Sequence, residues 1–282
     1  MTTQIAPDQQ ISEWGCERLD VDAYLSRIGD HGPLTPTGDT LRRLHRAHVS
    51  AIPFENLDIM LGREIPLDID SIQSKLVYRL RGGYCSEHNL LFGALLERIG
   101  FKVNRLVGRT RMGSTKVRHR SHTMLRVQDS EGGDWIADVG FGGEGLLDPV
   151  PLRTCTVMQG SWLYRLDPVE DDMWVLRSRH PEGWFDLYTF SVQPERLVDI
   201  VVHNYFTSTN PSSPYVRRIV VQRTTPRSRF TLIGPELTET RPDGTVNRRV
   251  VPREEIGEVL WTIFGIELTP DELANLQIER AA

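Results

Sequence analysis

Cys85, His122 and Asp138 are the residues whose types and spacing could together build a nucleophilic centre. Cys85 lies in the stretch Arg81-Gly82-Gly83-Tyr84-Cys85-Ser86-Glu87-His88-Asn89, where a glycine pair precedes an apolar run. Leu90, Leu91, Ala94, Leu95 and Ile99 recur at helical spacing, and Gly100 is placed to stop that helix. The first turn of a helix leaves backbone N–H groups unpaired and carries the positive end of the dipole, so a sulfur placed there is favoured as thiolate. Gly82 and Gly83 are expected to let the chain turn sharply and to keep side chains off the sulfur. The plain alternative for a single cysteine is a small buried hydrophobe. The glycine pair and the partners downstream favour a nucleophile instead.

An ordinary thiol, with a pKa of about 8.5, is mostly protonated at neutral pH and needs a base to become reactive. After Phe101 the apolar period shortens to that of strands, at Val103 to Val107, His122 to Val127 and Trp135 to Val139. Gly108, Gly113 and the stretch from Gln128 to Gly132 punctuate them, which predicts an antiparallel sheet or barrel. Pairing Val127 with Gly133 across the intervening residues sets His122 opposite Asp138, where Cβ atoms lie about 5 Å apart. A slip of one residue would send the two side chains to opposite faces. In the chosen register His122 takes the thiol proton, while Asp138 fixes the imidazole tautomer and stabilises the imidazolium. Seven other histidines compete: His31, His45, His48, His88, His119, His180 and His203. His88 follows Cys85 by three residues and could touch the thiolate, but no carboxylate is placed to orient it. His119 sits between Arg118 and Arg120, whose charges disfavour its protonated form.

The elements that must hold these residues are helical from about Asp20 to Gly100. Asp20 or Asp22 is expected to cap a helix containing Tyr24, Leu25 and Ile28, and Asp39 or Thr40 a second with Leu41, Leu44, Ala47 and Ala51, ended by Pro53. Phe54 to Asp58 reads as a loop, and Asp68 or Asp70 starts a helix through Ile72, Leu76, Val77 and Leu80. A buried Glu55 would need a partner, and the bidentate guanidinium of Arg81 could tie that loop to the cysteine turn; two solvated charges are the alternative. Thr207, Ser208 and Thr209 offer hydroxyls to a ligand from a polar loop. Arg217 to Val221 and Phe230 to Ile233 read as strands, Pro242-Asp243-Gly244 as a turn, and Thr269-Pro270-Asp271-Glu272 as the start of a closing helix.

Composition narrows the function classes. A chain of 282 residues with a formal net charge of −5 is expected to hold two or three subdomains and to bind neither nucleic acid nor an anionic membrane surface. Its three cysteines, Cys16, Cys85 and Cys155, are far apart, which predicts neither a disulfide framework nor a metal site. Met1 to Glu13 carries no apolar core, so no signal peptide and a cytoplasmic location are expected. Gly140, Gly142 and Gly143 would admit a ligand close to the backbone, but no helix-opening GxGxxG follows; a plain turn after a strand fits equally well.

Taken together, Arg81 to Asn89, Ser121-His122-Thr123-Met124-Leu125, Asp138-Val139-Gly140-Phe141-Gly142-Gly143, Pro53-Phe54-Glu55-Asn56-Leu57 and Ser208-Thr209-Asn210-Pro211-Ser212 resemble the arylamine N-acetyltransferases. The resemblance implies an α+β fold with a cysteine-protease-like core: a helical bundle over residues 1–100, an antiparallel β-barrel over 101–205 and an α/β lid over 206–282. It implies that Cys85 takes an acetyl group from acetyl-CoA and passes it to an arylamine, hydrazine or arylhydroxylamine, in a ping-pong cycle with no metal. By position, Phe54 and Phe141 would line the acceptor pocket, while Gly142, Gly143 and Thr209 would lie near coenzyme A. The chain departs from relatives at Asn210, where histidine or serine is common, and at Ser86, where an aromatic is common. A polyketide amide synthase of the same fold, a Cys-His-Asp hydrolase and a binding protein without turnover are the rival readings. The physiological acceptor and the oligomeric state, a homo-oligomer included, are left open.

Overall fold

The computed structural model describes residues 12–170 and 172–280, so most of the Met1 to Glu13 stretch lies outside the described residues. Asp20 caps α1 (Val21–Ile28) through a side-chain bond from the Ala23 N–H, as its short acceptor side chain suggests. Helix α2 (Gly38–Ala51) starts two or three residues earlier than expected, because Thr37 rather than Asp39 or Thr40 accepts from the backbone of the first turn. The segment read as a loop after Pro53 folds into β1 (Phe54–Glu55) and a short α3 (Leu57–Met60). Asp68 caps α4 (Ile69–Gln73), which widens into a π-helical turn at Ser74–Tyr78 instead of continuing as α-helix. The long α5 (Cys85–Ile99) closes the helical group, with Gly100 at φ 107° ending it.

From Gly100 the chain enters an eight-stranded antiparallel sheet: β2 (Lys102–Thr110), β3 (His122–Gln128), β4 (Asp134–Ala137), β5 (Val150–Pro151), β6 (Cys155–Gln159), β7 (Trp162–Pro168), β8 (Met173–His180) and β9 (Gly183–Ser191). The spatial order is β5-β4-β3-β2-β9-β8-β7-β6. The edge strands β5 and β6 are thus neighbours in sequence, and the short 152–154 link holds the two edges within about 15 Å. The sheet therefore curls into a nearly closed barrel around Leu106, Met124, Ile136, Tyr164, Leu176 and Phe190.

Helix α6 (Leu197–Thr209) follows and contains the expected subdomain boundary between 205 and 206. A short α7 (Pro214–Arg217) then occupies the start of the expected strand, so that β10 (Val220–Thr224) begins three residues later. Proline at the first helical position and the Ser213 cap explain why these residues coil. Strands β11 (Arg229–Ile233), β12 (Glu236–Thr240) and β13 (Val246–Val250) complete a second sheet whose order is β1-β10-β11-β12-β13. Helices α8 (Ile256–Phe264) and α9 (Pro270–Asn275) cover it, and α9 begins with the Thr269–Glu272 capping box that the sequence spells out. The α+β architecture of bundle, barrel and α/β lid is the expected one, with one addition: β1 is lent to the C-terminal sheet from the helical part. Among the described residues no helix is long and apolar enough to cross a membrane.

Candidate active site

Cys85 is the first residue of α5 and follows Tyr84, which caps the helix with an extended backbone. Glu87, on the first turn, reaches back to accept the Tyr84 N–H at 3.1 Å. The glycine pair serves through space rather than through unusual torsion, since neither Gly82 nor Gly83 has positive φ. A Cβ on Gly82 would lie 2.0 Å from the Pro53 carbonyl oxygen, and one on Gly83 2.7 Å from the Glu87 carboxylate. The sharp turn expected at the glycines is therefore a close approach of two backbones, and the left-handed residue here is Leu80 at φ 54°.

The Glu55–Arg81 ion pair forms, with both residues buried. Its geometry differs from a two-oxygen fork: Nε and Nη2 of Arg81 both grip Glu55 Oε1, at 3.1 and 2.9 Å, because Oε2 accepts the Leu57 N–H at 2.6 Å. Buried Lys75 adds a second tie, at 2.9 Å to Glu87 and 3.3 Å to Asp58. Charges on α3, the π turn and α5 thus fix the platform from which Cys85 projects.

On the barrel side, Leu125 faces Ala137 and Val127 faces Trp135, a register two residues away from the expected pairing. Asp129 sets it: its carboxylate accepts from the N–H groups of Glu131 and Gly133 and from the Trp135 indole, which closes the loop one residue later than supposed. A two-residue shift preserves the face of every side chain, so His122 and Asp138 still meet. The His122 Nε2–H donates to Asp138 Oδ2 at 2.7 Å, from the first residue of β3 to the first residue past β4. Nδ1 is then the nitrogen left for Cys85, whose sulfur also lies 3.5 Å from the Ser121 carbonyl oxygen.

Burial works against a charge on His122, but the Asp138 carboxylate, its hydrogen bond and the neighbouring Cys85 outweigh it and push the pKa up to about 10. Asp138 is held below the usual carboxylate range: burial opposes, and His122, Asn89 and the Gly140 N–H more than compensate. The competing buried histidines go the other way. Burial lowers His45, His88 and His203 to about 4 and holds His48 well below its ordinary range. His88 points away from the thiol: its Nε2 lies 3.0 Å from the Gly83 carbonyl and 3.2 Å from that of Pro53, and Nδ1 meets His48 at 2.8 Å.

Two supports escaped the sequence reading. Asn89, one helical turn beyond Cys85, places Nδ2 at 2.8 Å from Thr123 O, 3.1 Å from Asp138 Oδ1 and 3.2 Å from Cys85 O, and accepts the Val139 N–H at 3.2 Å. Its polarity inside an otherwise apolar stripe was the available signal. His45 on α2 accepts the Asp138 N–H at 3.2 Å, a role no local pattern announces.

The cysteine and histidine open onto a cavity of about 620 Å³ that Phe54, Phe141 and Gly143 also line. Gly142 lies off its wall with φ 88°, where a Cβ would meet the Gln222 amide at 2.2 Å. Thr209 is exposed on the last turn of α6, not on a loop, and its hydroxyl donates to the Tyr205 carbonyl at 2.6 Å. Phe206, Thr207, Ser212 and Ser213 from the same region do reach the cavity. Asn210 is turned inward on its own loop, accepting from the Ser212 N–H and hydroxyl.

Residues 37–273 match the sequence profile of the N-acetyltransferase family. The chain belongs to the arylamine N-acetyltransferases. It is 36% identical over 256 residues to the arylamine N-acetyltransferase of Mycolicibacterium smegmatis, covering 89% of this chain and 93% of that one. It is 38% identical to the arylamine N-acetyltransferase / N-hydroxyarylamine O-acetyltransferase of Salmonella typhimurium, over 92% of this chain and 93% of that protein. The crystal structure of the Nocardia farcinica arylamine N-acetyltransferase superposes with a TM-score of 0.90 at 42% identity, over 96% of this chain and 97% of that one. The Mycobacterium marinum enzyme in complex with CoA superposes at 0.85 with 35% identity, covering 91% and 98%. Against this family background Ser86 is packed as a polar residue: it is fully buried, with its hydroxyl 3.1 Å from that of Thr123. Among the described residues no cluster of three or more histidine, cysteine or acidic side chains is arranged to hold a metal ion.

Proposed function

We propose that this acyltransferase acetylates arylamines, hydrazines or arylhydroxylamines from acetyl-CoA by a ping-pong cycle through an acetyl-Cys85 intermediate. The observation that carries the reading is the placement of His122 against Asp138 and beside Cys85 on the wall of a large cavity. In the first half-reaction the Cys85 thiolate attacks the acetyl carbon, a new C–S bond forms, the bond to the coenzyme A sulfur breaks, and the imidazolium of His122 protonates the departing thiolate. In the second, a neutral amine attacks the acetyl-cysteine, the Cys85 sulfur leaves, and His122 accepts the proton shed by the amine nitrogen. Asp138 keeps Nε2 protonated throughout, so that Nδ1 does the proton transfer.

Phe54 and Phe141 on the cavity wall suit an aromatic acceptor, and the ring of Phe141, 4.9 Å from that of His122, would seat it beside the base. Gly143 on the same wall suits the acyl donor; Gly142 and Thr209 would serve only if the donor's tail runs outside the cavity. That a relative is described in complex with CoA supports the donor assignment.

Intact mass after incubation with acetyl-CoA and no amine tests the cycle. One added acetyl group, absent from Cys85→Ala and discharged by an arylamine, is expected. An adduct that water discharges as fast as amine does would make the protein a hydrolase, and an unmodified chain would exclude the acetyl-cysteine route.

A further inference from the structure

The same cavity is also lined by Glu144, three residues past Phe141. Glu144 Oε2 is crowded: it accepts from Ser178 Oγ at 2.5 Å, His180 Nε2 at 2.9 Å and Arg229 Nη1 at 3.1 Å. Arg229 is itself fixed, stacked 3.8 Å over Trp162 and donating to the Tyr164 hydroxyl at 3.2 Å. Oε1 receives no hydrogen bond among the described residues, yet it is not a buried orphan, and Glu144 lines the cavity. Three donors on one oxygen hold the carboxylate ionised and immobile while the other oxygen is left for a ligand; ordinary carboxylates accept on both. The position is close to the chemistry. A Cβ on Gly140 would lie 2.8 Å from Cys85 Cα, and four further residues span at most about 14 Å even when extended. The turn closed by the Gly145 N–H on the Gly142 carbonyl, 2.9 Å, makes the real distance shorter.

We propose that Glu144 Oε1 recognises a hydrogen-bond donor, a hydroxyl or amino group, on the end of the aromatic acceptor remote from the reacting nitrogen. Glu144 is then a specificity residue, and the preferred acceptors are arylamines with a para O–H or N–H. The inference rests on the acetyl-transfer reading above. The acyl donor also carries N–H groups, in its pantetheine arm, and is the competing source of such a contact.

The test compares 4-aminophenol with 4-methoxyaniline, which differ by one donor hydrogen with similar ring electronics. Their kcat/KM ratio is measured in the wild type and in Glu144→Gln and Glu144→Leu, with melting temperatures confirming folding. A wild-type preference of at least about tenfold for the phenol, collapsing toward one in both variants, is expected, since a hydrogen bond to a charged group discriminates on this scale. A ratio that stays the same in folded variants overturns the assignment. Should the variants instead slow Cys85 acetylation by acetyl-CoA but not by 4-nitrophenyl acetate, with the acceptor ratio unmoved, the contact belongs to the acyl donor and the proposal falls. Absence of any acetyl-enzyme in the wild type would refute the underlying transfer reading instead, and the two failures are separately visible.

Discussion

His122 is the buried histidine whose surroundings favour the charged form, and that has a signature in pH. Its folded pKa of about 10 exceeds the ordinary value near 6.5, so the proton bound on folding stabilises the fold fully below 6.5, and that contribution declines as pH rises toward 10. The melting-temperature advantage of the wild type over His122→Asn should therefore narrow between pH 7 and pH 10; a gap that widens there would contradict the assignment. Imidazole NMR should show His122 protonated at neutral pH while His45, His88 and His203, at about 4, are neutral. In the proposed cycle Asn89 positions rather than reacts. Asn89→Ala frees Asp138, the Cys85 carbonyl and β3 from one shared anchor, and kcat/KM should fall about a hundredfold through misplacement of the proposed triad. Acetylation of Cys85 at an unchanged rate in a folded Asn89→Ala protein would show that the anchor is dispensable.

At the scale of elements, helix α5, which carries Cys85, is docked by charge as well as by apolar packing. Arg81 and Glu55 are both removed from water, so Arg81→Met strands a buried carboxylate and should cost roughly 3–5 kcal/mol in urea unfolding. The double change Glu55→Gln with Arg81→Met should recover a large part of that loss, because no unpaired charge then remains. Equal destabilisation by the single and double variants would mean that the pair matters for shape alone. Apolar packing supplies the other half: Leu90, Leu91, Leu95 and Leu96 of α5 are almost completely buried in the core shared with α1, α2 and the barrel strands.

For the molecule as a whole, the parts are interlocked rather than strung together. Leu57 and Met60 of α3 lie in the core of the C-terminal sheet, Val220 of that sheet lies in the helical core, and β1 pairs with β10. A chain ending at Thr209 should consequently fail to fold natively, exposing Leu57, Met60 and the free edge of β1, and should bind a hydrophobic dye; a monomeric, cooperatively melting fragment would show the lid to be an independent addition. The sequence alone was enough for the α5 helix with its glycine stop, the helix start at Thr269 and the antiparallel strands, because each depends on short-range periodicity or on a local hydrogen bond. It misplaced what depends on distant partners. Phe54 and Glu55 become a strand only because β10 passes beside them, Gly82 is needed because the Pro53 carbonyl lies against it, and the register of β3 and β4 follows the Asp129 carboxylate rather than loop length. The roles of Asn89 and His45, and the free oxygen of Glu144 on the cavity wall, exist only once the helices, the barrel and the second sheet have closed around one space.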